Sequence, residues 1–147
     1  MNTAADRLGF LLGHWRGRGW TAVGPRTVEF DQEEVVRAVL GGALVTVEGC
    51  ATAPGDRDDV RFTAFAVARF DAEAGGCTWR AYSAGGCVEV PLEVGPGSFG
   101  WGYEVAPGVP VRFEATIEGD TWRQAGFTGT DRRQTFAMEL TRTGTRP

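Results

Sequence analysis

The chain has 147 residues, with 19 acidic side chains against 15 basic ones, and all 15 basic residues are arginine. Because lysine is absent, Schiff-base chemistry and a Walker-type phosphate loop are excluded. One histidine cannot build a multi-histidine metal site, and a net charge of −4 argues against nucleic acid as the main partner. We therefore predict no metal site and no bound cofactor.

Length and apolar patterning predict a single domain over residues 1–147. The longest apolar stretches, such as residues 64–68, fall far short of the ~20 residues that a membrane span requires. The N-terminus lacks the basic start and apolar core of a signal peptide, so we expect a cytoplasmic protein with no membrane partner. Three cysteines without CxxC spacing predict reduced thiols.

Residues 3–12 form the only helix-like stretch of the sequence. Asp6 is predicted to cap a helix of one or two turns that places Leu8, Leu11 and Leu12 on one face. Beyond it, glycine and proline recur at short intervals with apolar or alternating runs between them, which is typical of antiparallel β-structure.

Ten strands are predicted after the helix, separated by turn-forming dipeptides such as Gly24-Pro25 and Gly41-Gly42. Residues 98–105 and 109–118 alternate apolar and polar side chains, as half-buried strands do. The predicted fold is therefore all-β: a ten-stranded antiparallel up-and-down barrel with a short N-terminal helix, closed so that no strand edge is exposed. The predicted strands are 15–23, 27–39, 43–53, 59–70, 77–83, 87–94, 98–105, 109–118, 121–128 and 134–143.

Residues 10–19, Phe-Leu-Leu-Gly-His-Trp-Arg-Gly-Arg-Gly, contain the Gly-x-Trp motif that opens the first strand of calycins. Later motifs are Phe30-x-Gln32-x-Glu34, Gly41-Gly42, Glu48-Gly49, Arg80-x-Tyr82, Ser98-Phe99-Gly100-Trp101-Gly102 and Trp122-Arg123-Gln124-x-Gly126. In this order, they resemble the uncharacterised bacterial calycin-like domain family over nearly the whole chain. The resemblance implies a calycin-like barrel with a cavity for a small molecule, as in lipocalins and fatty-acid-binding proteins.

The same resemblance extends to nitrobindins, which bind heme through a histidine near the C-terminus. This chain has Met138 in that region and no histidine, so heme binding is a minor alternative. The resemblance to lipocalins also implies that Trp15 plugs the closed end of the barrel and that Arg142 stacks on it. His14 is then expected at the closed end or facing solvent.

Strand alternation places Gln32 and Glu34 on one face together with Phe30 and Val36. A polar pair among apolar neighbours predicts that this face lines the cavity, where burial would raise the pKa of Glu34 and make it a base. A structural ion pair that involves Glu34 is the alternative.

Arg80 and Tyr82 also share a strand face, opposite Trp79 and Ala81. An inward Arg80 would bind a carboxylate, enolate or phenolate, and Tyr82 would donate to a neighbouring carbonyl. The alternative is an outward Arg80 that lies over Tyr82. Arg80 is the arginine that we predict to point inward and to set the charge of the ligand.

A further set of alternating side chains belongs to the later strands: Trp101 and Tyr103 on one, Trp122 and Gln124 on another. In a small barrel, aromatic side chains simply fill the interior. A ten-stranded barrel is too wide to be filled completely, so we predict that these four residues line a ligand cavity, together with Phe30 and Gln32.

Two functions of different class follow. The first is binding of a small apolar or aromatic metabolite in the cavity, as a carrier or sensor. The second is a cofactor-independent enzyme, a cyclase, isomerase or decarboxylase of specialised metabolism, in which Arg80 and Tyr82 polarise a carbonyl and Glu34 moves a proton. A homodimer is expected only if some strands present an apolar outer face.

Overall fold

The computed structural model describes residues 3–144, and ten antiparallel β-strands form a closed barrel. Each strand pairs with the next in sequence, and the last pairs with the first, which confirms the predicted all-β up-and-down barrel. The strands are Gly13–Val23 (β1), Arg26–Val39 (β2), Leu44–Ala53 (β3), Asp56–Asp71 (β4), Gly76–Ser83 (β5), Gly86–Gly95 (β6), Ser98–Ala106 (β7), Val109–Glu118 (β8), Thr121–Thr128 (β9) and Arg133–Gly144 (β10).

The largest difference from the predicted bounds lies at the start of β4, which begins at Asp56 instead of residue 59. The acidic stretch there looks like a solvated turn in the sequence. In the structure, register shifts on either side of Thr52 let Ala53 pair with Asp56 while Thr52 pairs with Val60. A β-bulge thus extends the hairpin into residues whose composition favours a loop.

The N-terminal helix spans Ala4–Leu8 (α1) and continues as a 3-10 turn over Gly9–Leu11. Thr3 is the N-cap: its side-chain oxygen accepts from the backbone N–H of Asp6 at 3.1 Å, and the Asp6 carboxylate accepts from the backbone N–H of Thr3 at 3.1 Å. The prediction that Asp6 is the cap is therefore wrong. Asp6 is the reciprocal partner in a capping box.

This helical segment seals one end of the barrel over Trp15, which is fully buried. The Trp15 indole N–H donates to the Leu11 carbonyl at 2.9 Å, and its ring meets Trp122 edge-on at 5.5 Å between centroids. The Arg142 guanidinium lies 4.1 Å from the centre of the Trp15 ring. Both predicted roles at the closed end are confirmed. His14 alternates with Trp15 and lies half-buried on the outer face.

The seam between β6 and β7 is shorter than the other seams of the barrel. Only three residue pairs join the two strands within the described part of the chain, from Glu93↔Gly100 to Gly95↔Ser98. All three lie near the closed end, at the β6–β7 turn. Toward the opposite, open end, residues 86–92 of β6 have no paired residue on β7.

The three cysteines are free thiols. Cys77, on the inner face of β5, pairs with Leu92 of β6. Across residues 3–144, no helix has the length and apolar character needed to cross a membrane.

Candidate functional site

The inner face of β2 carries the polar pair that the sequence singled out. Glu34 pairs across the sheet with Trp15 of β1 and Gly49 of β3, and it is 7% exposed. Gln32 is half-buried and Phe30 is buried on the same face, while Glu33 on the opposite face forms an ion pair with Arg16 at 2.8 Å. The predicted division of β2 into an inner and an outer face is confirmed.

Glu34 accepts a hydrogen bond from the Gln32 amide, the one contact of this carboxyl that lowers its pKa. Burial acts in the opposite direction and is the larger effect, raising the pKa of Glu34 from 4.5 to about 7. Gly49 makes room for the carboxyl, because a Cβ on residue 49 would overlap Glu34 Oε2. No cation pairs with this side chain among the described residues, so the alternative of a structural ion pair is not what the structure shows.

A second polar pair lies on the inner face of β9. The Trp122 indole N–H donates to the Gln124 side-chain carbonyl at 3.2 Å, and both side chains are buried. This bond uses the side-chain carbonyl of Gln124 and leaves its amide N–H₂ as a donor on the inner face. Met138, also buried, is the partner of Gln124 on β10. The four predicted residues on β7 and β9 thus face inward, with Trp122 packed into the closed end.

Aromatic rings line the wall on the other side of the interior. Trp101 lies 4.9 Å from Trp79 and 5.0 Å from Phe113, measured between ring centroids. Phe136 contacts Phe113 at 5.7 Å and stacks on Phe30 at the same distance. Facing this wall, β3 to β5 present mainly small inner side chains, at positions 49, 51, 64, 66 and 81.

Solvent reaches part of the inner face. Val90 and Trp101 lie on the inner face about midway along their strands, yet each is only half-buried. Phe62, an inner-face residue near the open end, is 56% exposed. In a barrel filled by its own side chains these positions would be dry, because protein interiors are close-packed. Solvent therefore reaches part of the inner face from the open end, above a base that the N-terminal helix seals.

Trp79 is a site residue that sequence reasoning did not select. It is 4% exposed on the inner face of β5, and its indole N–H has no hydrogen-bond partner within residues 3–144. Buried N–H groups are seldom left unpaired, so this donor is an exception among the described residues. A signal was present: Cys77, Trp79 and Ala81 form the more apolar face of β5.

Arg80 and Tyr82 lie outside the barrel, and the prediction that Arg80 points inward is wrong. The Arg80 guanidinium is exposed and pairs with Glu89 of β6 at 3.0 Å, and it donates to the Tyr82 hydroxyl at 3.3 Å. The physical reason is that burial of a guanidinium without a carboxylate partner is costly, whereas the cross-strand Glu89 lies on the outer face. Glu34 is therefore separated from the other two predicted catalytic residues by the barrel wall.

Tyr82 instead borders a groove of about 420 Å³ on the outer surface of β2–β5. Its floor and sides include Val35, Cys50 and Phe65, with Glu33 and Glu48 at its edges. Phe65 is 40% exposed and Tyr82 is 39% exposed. Burial and the neighbouring carboxylates raise the pKa of the Cys50 thiol, which makes it a poor nucleophile.

The inner face does not fit a histidine-ligated heme. His14 lies outside the barrel at its closed end, and Met138 is the inner-face side chain that offers iron a thioether. The described residues also contain no cluster of three or more histidine, cysteine, aspartate or glutamate side chains that would hold a metal ion.

Comparison with known proteins supports the architecture. No family model matches the chain, and no curated protein matches it. The crystal structure of Rv2717c from M. tuberculosis is similar, with a TM-score of 0.72 and 19% sequence identity over 96% of this chain and 98% of that chain. At this level of identity, the similarity shows the fold.

Proposed function

We propose that the protein binds a small aromatic or apolar molecule inside the barrel. The observation that carries this proposal is the buried carboxyl of Glu34, which lies on the inner face of the barrel and has no cationic partner among residues 3–144. Burial of such a group lowers stability. A ligand that hydrogen-bonds to it offsets that cost when it binds.

The remaining groups suit the same ligand. Trp101 and Phe113, which stack on each other, and the small side chains of β3 and β4 give the inner face an apolar lining that suits an apolar body. Gln124 offers its amide as a polar partner on a different strand from Glu34. A few polar groups in an apolar cavity are the usual composition of a small-molecule site. The resemblance to calycin-like domains agrees with this proposal.

The test is whether filling the interior blocks binding of an apolar probe. N-phenyl-1-naphthylamine fluoresces more strongly when it leaves water for an apolar site, and we expect it to bind the wild-type protein. Ala64→Trp places a large ring on the inner face of β4, and we expect it to weaken probe binding by at least about tenfold. Titrations that follow the fluorescence measure both affinities.

Thr63→Trp is the matched control, since it adds the same side chain at the neighbouring position, on the outer face and in the outer groove. We expect it to leave probe binding unchanged. If Thr63→Trp blocked the probe and Ala64→Trp did not, the ligand would bind in the outer groove and the proposal would be wrong. Circular dichroism of both variants shows whether each retains the barrel.

A second candidate is an enzyme of the cyclase or isomerase type on the same barrel. The pKa of about 7 favours it, because a general base works best when its pKa lies near the ambient pH. Such an enzyme also needs a donor to polarise the substrate. With Arg80 and Tyr82 outside, the inner-face donors for that role include Gln124, Trp101 and Tyr103. Binding requires none of these further steps, and it is the function that the geometry supports best.

A further inference from the structure

The charge on the inner face of the barrel cannot be read from the charges on its outer surface. Among the described residues, the buried and half-buried positions on the inner face carry two charged side chains, Glu34 and Arg142. The other arginines of strands β1, β4, β5 and β8 lie on the outer face or at the exposed rim, several of them in ion pairs. The charge of a ligand is therefore set by these two groups.

Arg142 is already committed at the closed end. Its Nε bonds to Asp120 at 2.9 Å, and its two terminal nitrogens donate to the backbone carbonyls of Leu12 and Phe10. The face of the guanidinium lies on Trp15. A ligand carboxylate would find no free cation in the cavity, and it would meet the carboxyl of Glu34 instead. Two like charges in a low-dielectric interior repel strongly.

A ligand cation meets the opposite situation. Glu34 Oε2 is bonded to Gln32, which leaves Oε1 as a free acceptor. Gln32 also retains its side-chain carbonyl, which is an acceptor as well. The rings of Trp101, Phe113 and Phe136 pack against one another on another part of the inner face. Carboxylate and amide oxygens are the acceptors that a hydrogen-bond donor of positive charge needs.

We propose that the molecule bound in the barrel is an aromatic amine with its protonated nitrogen at Glu34, and that carboxylates such as fatty acids are rejected. This inference rests on the proposed function, since it assigns the chemistry of the ligand at that same site.

Three probes that share one skeleton test which ligand charge the interior prefers. Tryptamine, tryptophol and indole-3-propionate share an indolylethyl body and end in an ammonium, a hydroxyl and a carboxylate. Isothermal titration calorimetry at pH 8 compares their affinities for the wild-type protein, Glu34→Gln and Glu33→Gln. We expect tryptamine to bind the wild-type protein at least about tenfold more tightly than indole-3-propionate, with tryptophol between them.

Glu34→Gln keeps the size of the side chain and removes its charge, so we expect it to abolish the preference for tryptamine and to change tryptophol affinity by less than about threefold. Glu33→Gln, one residue away on the outer face, is expected to retain the preference. If Glu34→Gln failed to fold, the comparison of the three probes on the wild-type protein would still test the amine assignment.

The outcomes separate this inference from the proposed function. If indole-3-propionate bound the wild-type protein as tightly as tryptamine, or more tightly, the amine assignment would be overturned while a ligand-binding interior remained. If none of the three bound although N-phenyl-1-naphthylamine entered the barrel, the amine assignment would again be wrong. If the neutral probe failed to enter as well, both proposals would fail.

Discussion

At the scale of single residues, Glu34 is the position where the structure lowers the stability of the fold, because it buries an ionisable carboxyl. Its carboxyl is held on the inner face by one amide hydrogen bond and by the space that Gly49 leaves open. Burial raises its pKa to about 7, so the folded protein binds this proton more tightly than the unfolded chain does. The proton therefore links folding to pH.

Stability that comes from this linkage is fully present below about pH 4.5 and is lost as the pH rises through about 7. We expect Glu34→Gln to be more stable than the wild-type protein at pH 8 by about 3 kcal/mol, and to match it near pH 4.5. Urea denaturation at several pH values measures the difference. Glu33→Gln, on the exposed outer face, is the control and is expected to change stability by less than about 1 kcal/mol. A constant difference between Glu34→Gln and wild type across this pH range would contradict the buried, proton-linked carboxyl.

At the scale of elements, the β6–β7 seam is where the barrel wall is weakest. Three residue pairs near the closed end hold it, and residues 86–92 of β6 have no paired residue on β7 toward the open end. By contrast, β9 pairs with β8 and β10 along its whole length. Pro91 lies in the unpaired stretch, where a missing backbone N–H costs no ladder bond to β7. The open part of the seam adjoins the mouth of the cavity.

Hydrogen exchange reports this difference directly. We expect about half of the amide hydrogens of residues 86–92 to exchange rapidly, because alternate residues of a strand direct their N–H groups to opposite neighbours and one neighbour is absent here. The amides of Thr121–Thr128 are expected to be protected on both sides. Mass spectrometry of peptic peptides compares the two segments. Equal protection would show that β6 and β7 pair further than the structure indicates.

At the scale of the whole molecule, the two ends of the chain meet at the closed end of the barrel. β1 pairs with β10 to close the sheet, and Arg142 of β10 bonds to the backbone carbonyls of Phe10 and Leu12 beneath the N-terminal helix. The same guanidinium stacks on Trp15 and pairs with Asp120. One side chain therefore joins the helix, the first strand and the last strand.

We expect Arg142→Ala to lower the free energy of unfolding by about 2–4 kcal/mol, since it removes a cation–π contact and several charge-assisted hydrogen bonds from a partly buried position. Arg123→Ala is the matched control, because Arg123 forms a single ion pair with Glu139 at 2.8 Å on the exposed surface. That change is expected to cost less than about 1 kcal/mol. Denaturant titration measures both, and equal losses would argue that Arg142 does not hold the closed end together.

Sequence patterns alone determined the all-β class, the ten strands and the inward placement of Phe30, Gln32 and Glu34, whereas the closed end at Trp15 and Arg142 came from the resemblance to lipocalins. Turn residues and two-residue alternation are local signals, so they can be interpreted without knowing which strands are neighbours in the sheet. The orientation of Arg80 and Trp79 was decided by the tertiary structure, because β5 has an aromatic side chain on each face and Glu89 reaches Arg80 only through the register of β6. The depth at which Glu34 is buried, the raised pKa that follows from it and the short β6–β7 seam likewise depend on residues far apart in the chain. The arginine-only composition could not reveal the charge of the inner face. That charge depends on which face of each strand points inward in the closed barrel.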